Sequence, residues 1–288
     1  MVKHKNVVTQ FKNQKEFADY LRKQTLTLAE QEINLKNFST ESIKHVQEYV
    51  DKNMDRYIDT LSLVPDMALN KKLNILDIGI SYGLHDVILK RIGYQMYGTE
   101  LASRIEKNCV LPLNEGIPIK DLDLTKSKLP FKNEFFDIIL FGEVLEHVRD
   151  SPVKVLTQLK KLIKPGGFLI LTTPNFCRIT NIGMIIFKRN PLEPFDLKYD
   201  SENNSGHITD SWTHIREYNK TELINIMKKA GFRIEKIEMS MCWDSYKFNF
   251  RYGDYAKGKK GASLILFILN KILKDYRSNI MILAKKPQ

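Results

Sequence analysis

The sequence predicts an α/β protein built on a doubly wound, mostly parallel sheet, and three observations carry that prediction. From residue 73 onward, short apolar runs alternate with amphipathic helical stretches. One strand-to-helix junction, Asp77-Ile-Gly79-Ile-Ser81-Tyr-Gly83, is rich in glycine. An acidic residue, Glu100, closes the following strand about twenty residues beyond that turn.

The elements follow in order. Residues 14–70 read as helical, with Phe17 and Leu21 in one stretch and Ile43, Val46, Val50, Met54 and Tyr57 in a second that Thr40 can cap. Leu73–Gly79 is a short apolar run of the kind that a buried parallel strand requires. Val87–Ile92 is helical and Gln95–Glu100 a strand. Phe136–Phe141 is a strand, Val153–Ile163 a helix, Lys164-Pro-Gly-Gly167 a turn and Phe168–Thr172 the next strand. Thr221–Ala230 is a helix stopped by Gly231, with strands at Arg233–Met239 and Ser278–Ala284. Ligands of such sheets bind in the crevice at the carboxyl ends of the strands. Two domains of organisation result: an N-terminal helical extension over 1–70 and the α/β unit over 71–288. The latter is interrupted by insertions at about 176–216 and 242–276, too long to be simple connections.

Composition excludes several classes. Of 288 residues, 43% are hydrophobic and 27% charged, which excludes wholesale disorder. No apolar run reaches the ~20 residues of a membrane-spanning helix. Cys109, Cys177 and Cys242 are scattered, which argues for a reducing compartment and a cytoplasmic location, with the inner face of the membrane as a variant. The formal charge of +11 comes from lysines spread along the chain, without interleaved aromatics, so nucleic acid is disfavoured. An anionic substrate or an anionic membrane surface fits that charge equally well.

Gly79 and Gly83 let the backbone approach a ligand, and the helix that follows offers free N–H groups. Glu100 is placed to accept both hydroxyls of a ribose, which suits a dinucleotide or another adenosine-bearing cofactor. These motifs, together with Asp123-Leu124, Leu129–Asp137, Glu143-Val-Leu-Glu-His-Val148 and Lys164-Pro-Gly-Gly167, resemble the class I S-adenosylmethionine-dependent methyltransferases. Within that class they are most similar to the small-molecule and glycan-modifying type. The resemblance is strong over 73–175 and looser to the C-terminus.

The resemblance implies a Rossmann-like methyltransferase fold, S-adenosylmethionine as cofactor, and a methyl acceptor that is a small molecule or saccharide, modified at oxygen. A quinone or lipid-type acceptor is the alternative, an RNA a weaker one. Gly79, Ser81 and Gly83 would shape the loop around the methionine part, braced by Asp77. Glu100 would hold the ribose, Asp123 the adenine amino group and Leu124 the ring face, while Gly142 and Glu143 border the methionine end. Ser81 departs from the family pattern, which usually has glycine there. The tetrapeptide Asp-Pro-Pro-Tyr of amino-methylating nucleic-acid enzymes is absent, which favours carbon, oxygen or sugar-amine acceptors.

A hydroxyl acceptor needs a base. His147, beyond the fourth strand, reads either as that base or as an orienting histidine; His214 and Arg216 lie in the segment that closes over the crevice in relatives. His207 is a loop histidine, and His85 a structural or cofactor-adjacent residue of the glycine loop. No set of His, Cys, Asp and Glu has metal-ligand spacing, so no metal is expected. Ile182–Phe187, followed by Lys188-Arg189, and Ala262–Leu273 are apolar segments inside the insertions. They read either as helices packed on the sheet or against a second copy, or as a peripheral membrane contact.

Overall fold

The computed structural model describes residues 23, 53, 56, 57, 59, 60, 62, 63, 73–124, 129–192, 214–241 and 260–288. The helix expected over most of 14–50 with its Thr40 cap, the loop of His207 and the aromatic stretch Trp243–Tyr255 lie outside these residues.

Seven strands form one sheet, β1 (Asn74–Ile78), β2 (Gln95–Glu100), β3 (Ile119–Asp121), β4 (Phe136–Gly142), β5 (Ile163–Pro174), β6 (Arg233–Ser240) and β7 (Asn279–Lys285). Their spatial order is β3-β2-β1-β4-β5-β7-β6. β1 to β5 are parallel, and β7 runs antiparallel between β5 and β6. The doubly wound, mostly parallel expectation is met, with the reversal at the centre of the order placing β1 and β4 side by side.

Period-two alternation explains why both faces are covered. Ile75, Ile138, Leu140 and Ile170 point to one face, packed under α1 (Leu84–Ile92) through Val87, Ile88 and Leu89. Leu76, Ile139, Phe141, Leu169 and Leu171 point to the other, under α4 (Pro152–Leu162) and α6 (Lys220–Lys229). Hence the central strands are near-continuously apolar. α6 is capped by Asn219, whose side chain accepts from the Glu222 amide.

Two short helices, α2 (Ala102–Asn108) and α3 (Val110–Asn114), and strand β3 connect β2 to β4, none of them foreseen. Lys164–Gly167, expected as a turn before a strand, is instead an excursion within β5: Phe136 pairs with Ile163, and the ladder resumes at Ile138 and Phe168. Its lysine reaches back so that Lys164 Nζ donates to both oxygens of Asp137 at 2.9 Å, and Asp137 also accepts the Asn74 amide. Gly167 is pressed against this junction. A Cβ there would lie 2.7 Å from the Asp137 carbonyl oxygen and 3.1 Å from that of Lys164, neither of which can swing away. Gly167→Ala should therefore destabilise the protein by about 2–3 kcal/mol, read as a lowered urea midpoint.

Candidate active site

The carboxyl ends of β1, β2 and β4 define the cleft. Gly79 (φ 77°) and Gly83 (φ 61°) turn the chain out of β1, and the Gly79 and Ile80 amides both donate to the Thr99 carbonyl. A Cβ on Gly79 would strike Val144 Cγ2 at 2.7 Å. Gly83 starts α1 with no side-chain cap, leaving the helix's first N–H groups toward the cleft. Ser81, between the two glycines, takes φ 49°. The turn is thus kept in the left-handed geometry that glycine adopts freely, at a cost of about 1–2 kcal/mol for a residue with a Cβ.

Glu100 is buried, and each of its oxygens accepts a backbone amide, Ser81 N–H at 3.0 Å and Leu101 N–H at 2.9 Å. It thus fastens the glycine loop to the end of β2. Asp123 and the partly buried Leu124 follow β3 at the same edge, Leu124 packing on the core beneath. At the other end of the cleft Gly142 closes β4, and Glu143 (φ 55°) accepts from Thr172 Oγ1 and Asn279 Nδ2, both at 2.9 Å.

Two residues missed by sequence reading complete this end. Arg56, from the N-terminal extension, lies 3.8 Å from Glu143 and over the Tyr57 ring. Tyr57 in turn packs on His85, ring centres 5.3 Å apart. His85 Nε2 sits 3.1 Å from Asp77 and 3.5 Å from the fully buried Asp86. Burial, and then the Asp77 charge, pushes Asp86 well above the usual carboxylate range. Burial alone would depress His85, but Asp86 and Asp77 outweigh it and raise its pKa.

Beyond β4 a 3-10 turn (Leu145–His147) carries Glu146 inward. Glu146 is buried; one oxygen accepts from Thr173 Oγ1 at 2.9 Å, and the other has no hydrogen-bond partner. Its backbone carbonyl accepts the Ile215 and Arg216 amides. That docking brings His214 to His147, ring centres 5.0 Å apart and edge-on. His214 Nδ1 is 3.0 Å from Glu217 Oε1, and Glu217 Oε2 accepts from Arg178 at 2.9 Å. Burial opposes the Glu217 charge, but hydrogen bonds from His214 and Arg178 prevail and hold its pKa below the ordinary value. Arg216, by contrast, turns outward to pair with Glu222 and lies over Tyr218. It lines an open pocket of about 650 Å³ with Phe176, Ile215 and Glu217.

The structure therefore unites His147 and His214 but separates Arg216 from them, and it adds Glu217. It also gathers ligand atoms that linear spacing did not foretell: those of Glu146, His147 and His214 lie within 4.8 Å of one another, as do those of Asp77, His85 and Asp86.

Burial and then the Glu143 charge raise Glu146 well above its ordinary 4.5. A pKa raised by folding confers stability below the ordinary value that is lost as pH rises toward the folded one. Asp86 and His85 act with the same sign. Wild-type stability should fall from pH 5 to pH 8. Glu146→Gln should flatten that slope by up to about 1.4 kcal/mol per pH unit, measured by urea unfolding at several pH values.

The cleft fits an adenosine joined to an amino acid. A glycine turn too tight for side chains follows β1, the buried carboxylate of Glu100 closes β2 beside it, and Ser81 Oγ is buried without a hydrogen-bond partner. A family model described as a methyltransferase domain matches residues 46–237, and the chain belongs to that family. It is a methyltransferase that uses S-adenosylmethionine.

Relatives agree with this class, and solved structures share the fold. The ubiquinone biosynthesis O-methyltransferase of Dictyostelium discoideum, described as mitochondrial, is 28% identical over 222 residues, 63% of this chain and 68% of that one. The ubiquinone biosynthesis O-methyltransferase of Cereibacter sphaeroides is 36% identical over 104 residues, 36% of this chain, but that match spans only 42% of the relative's length. In fold, a methyltransferase from Thermotoga maritima superposes with TM-score 0.51 at 16% identity, over 85% of this chain and 95% of that one. Haemonchus contortus phosphoethanolamine N-methyltransferase 2, solved with S-adenosylmethionine, gives 0.51 at 15% identity over 81% and 52%.

Proposed function

We propose that the enzyme methylates a ring hydroxyl of a quinone-type aromatic acceptor bearing an apolar tail, with His214 as the base. The carrying observation is the His147–His214 pair backed by the Glu217 carboxylate. The relatives' names support this acceptor over the saccharide expected first from sequence, because the Dictyostelium and Cereibacter proteins are both named for ubiquinone biosynthesis.

The donor supplies an activated methyl group on a positively charged sulfur. What the chain must add is alignment and removal of one proton. Glu100 takes the ribose, the Gly79–Gly83 loop admits the amino-acid part, and Arg56 beside Glu143 offers a cation for its carboxylate. Fixing donor and acceptor in line is worth up to roughly 7–11 kcal/mol. Glu217 holds the His214 Nδ1 proton, so Nε2 is the basic nitrogen and takes the hydroxyl proton as oxygen attacks the methyl carbon. When bound, the donor would give its methyl group to that oxygen and leave as a neutral thioether that keeps the electron pair. His147, edge-on to His214, restricts its rotation.

The test offers S-adenosylmethionine with a prenylated catechol or, separately, an oligosaccharide, and reads the product mass. A 14-unit gain on the catechol supports the reading. Methylation of the sugar alone overturns it.

A further inference from the structure

Two helices of the insertions face the wrong way for surface helices. An amphipathic helix normally buries its apolar stripe and turns polar residues to water. α5 (Ile179–Ile186) instead buries Asn181, whose amide donates to the Phe176 carbonyl, and leaves Ile186 70% and the adjoining Phe187 78% exposed. α7 (Lys260–Ile272) does the same. Asn270 is buried, while Ile265 (60%), Ile268 and Ile272 (70%) are exposed at i, i+3 and i+7. The two helices touch each other. Of the placements expected for the second apolar segment, on the sheet, against a second copy or at a membrane, the exposure of Ile265, Ile268 and Ile272 disfavours the first.

Charge identifies the occupant. Lys188 and Arg189 follow Phe187 directly, and Lys271 and Lys274 flank Ile272, all exposed. Among the described residues next to these cations, the acid Asp275 is paired with Lys220. Among the described residues no helix is long and apolar enough to cross a membrane. An exposed apolar patch rimmed by cations, on a chain of net charge +11, matches the interface of an anionic bilayer, where apolar side chains enter the headgroup boundary and lysines meet phosphate. We infer that the outward faces of α5 and α7 form a peripheral docking surface for an anionic lipid bilayer.

The surface stands whether or not the acceptor reading above holds, but the two fit together. Asn181 of α5 also donates to Glu217 Oε2, so the docked helix is bonded to the carboxylate that orients His214. An apolar-tailed acceptor could then pass from bilayer to base without crossing water.

The test is flotation of the full chain with phosphatidylcholine vesicles, with and without phosphatidylglycerol, at low and high salt. The protein should float with the anionic vesicles only, and salt should release it. Ile186→Asp with Phe187→Asp should abolish flotation, and Lys188→Glu with Arg189→Glu should weaken it by about 30-fold or more. Neither pair should change S-adenosylmethionine binding, because exposed substitutions here leave the core and cleft untouched. Absence of flotation, or flotation that survives the Ile186/Phe187 pair, overturns the inference. So does a dimer, seen by sedimentation, that the same pair dissociates without any vesicle binding: the face then belongs to a second copy. Turnover of detergent-dispersed catechol reports separately on the acceptor reading.

Discussion

Replacing His214 with alanine will lower kcat by roughly two to four orders of magnitude, the usual contribution of a positioned base. Donor affinity should stay within about twofold, because His214 lies with His147 and Glu217 rather than at the loop held by Glu100. Glu217→Gln should cost less, roughly ten- to a hundredfold, since the amide can still face Nδ1 but no longer stabilises the imidazolium. A merely structural Glu217 would move stability and leave kcat in place. The measurements are steady-state kinetics across pH with the catechol acceptor, and calorimetry of donor binding. An unchanged kcat for His214→Ala would pass the base role to His147, the candidate that sequence position alone favoured. If His147→Ala also left kcat unchanged, the acceptor would need no base.

The fold was legible in the sequence where a change of period marked it. β1, β2, β4 and β7 are apolar runs with sharp ends, and their predicted and observed bounds differ by a residue or two. β3 was invisible because it is a three-residue edge strand in which only Ile119 is partly buried, so no pattern could form. α3 hid behind Pro112 in its interior. At the site, the glycine loop and Glu100 announced themselves by order and spacing. Glu217 did not, although it stands next to the noted Arg216: only the curl of the chain after the Glu146 carbonyl points it at His214 and Arg178. Arg56 and Tyr57 reach the cleft from a helix far away in sequence, a contact that periodicity cannot encode. For a related reason the sequence left the placement of the apolar faces of α5 and α7 open between the sheet, a second copy and a membrane. A helical apolar stripe records that something apolar is covered, not which side supplies the cover.

Glu100→Ala should produce the largest loss of donor binding, and for two separable reasons. As a ligand, the carboxylate offers charge-assisted hydrogen bonds to two ribose hydroxyls, together worth about 3 kcal/mol, or roughly 150-fold in Kd. As a brace, it already accepts the Ser81 and Leu101 amides, and its removal leaves both donors buried without that acceptor. The second effect lowers stability by about 1–3 kcal/mol and loosens a turn in which Ser81 is already held at φ 49°. Glu100→Gln separates the two. The amide oxygen can keep one backbone amide, so stability should recover in part. The charge is gone, so affinity should remain at least about tenfold below wild type. Calorimetric titration with S-adenosylhomocysteine reads the affinity, and urea unfolding without ligand reads the brace. A Glu100→Ala protein that unfolds early yet binds the product as tightly as wild type would reduce Glu100 to a loop fastener and move ribose recognition elsewhere along the cleft.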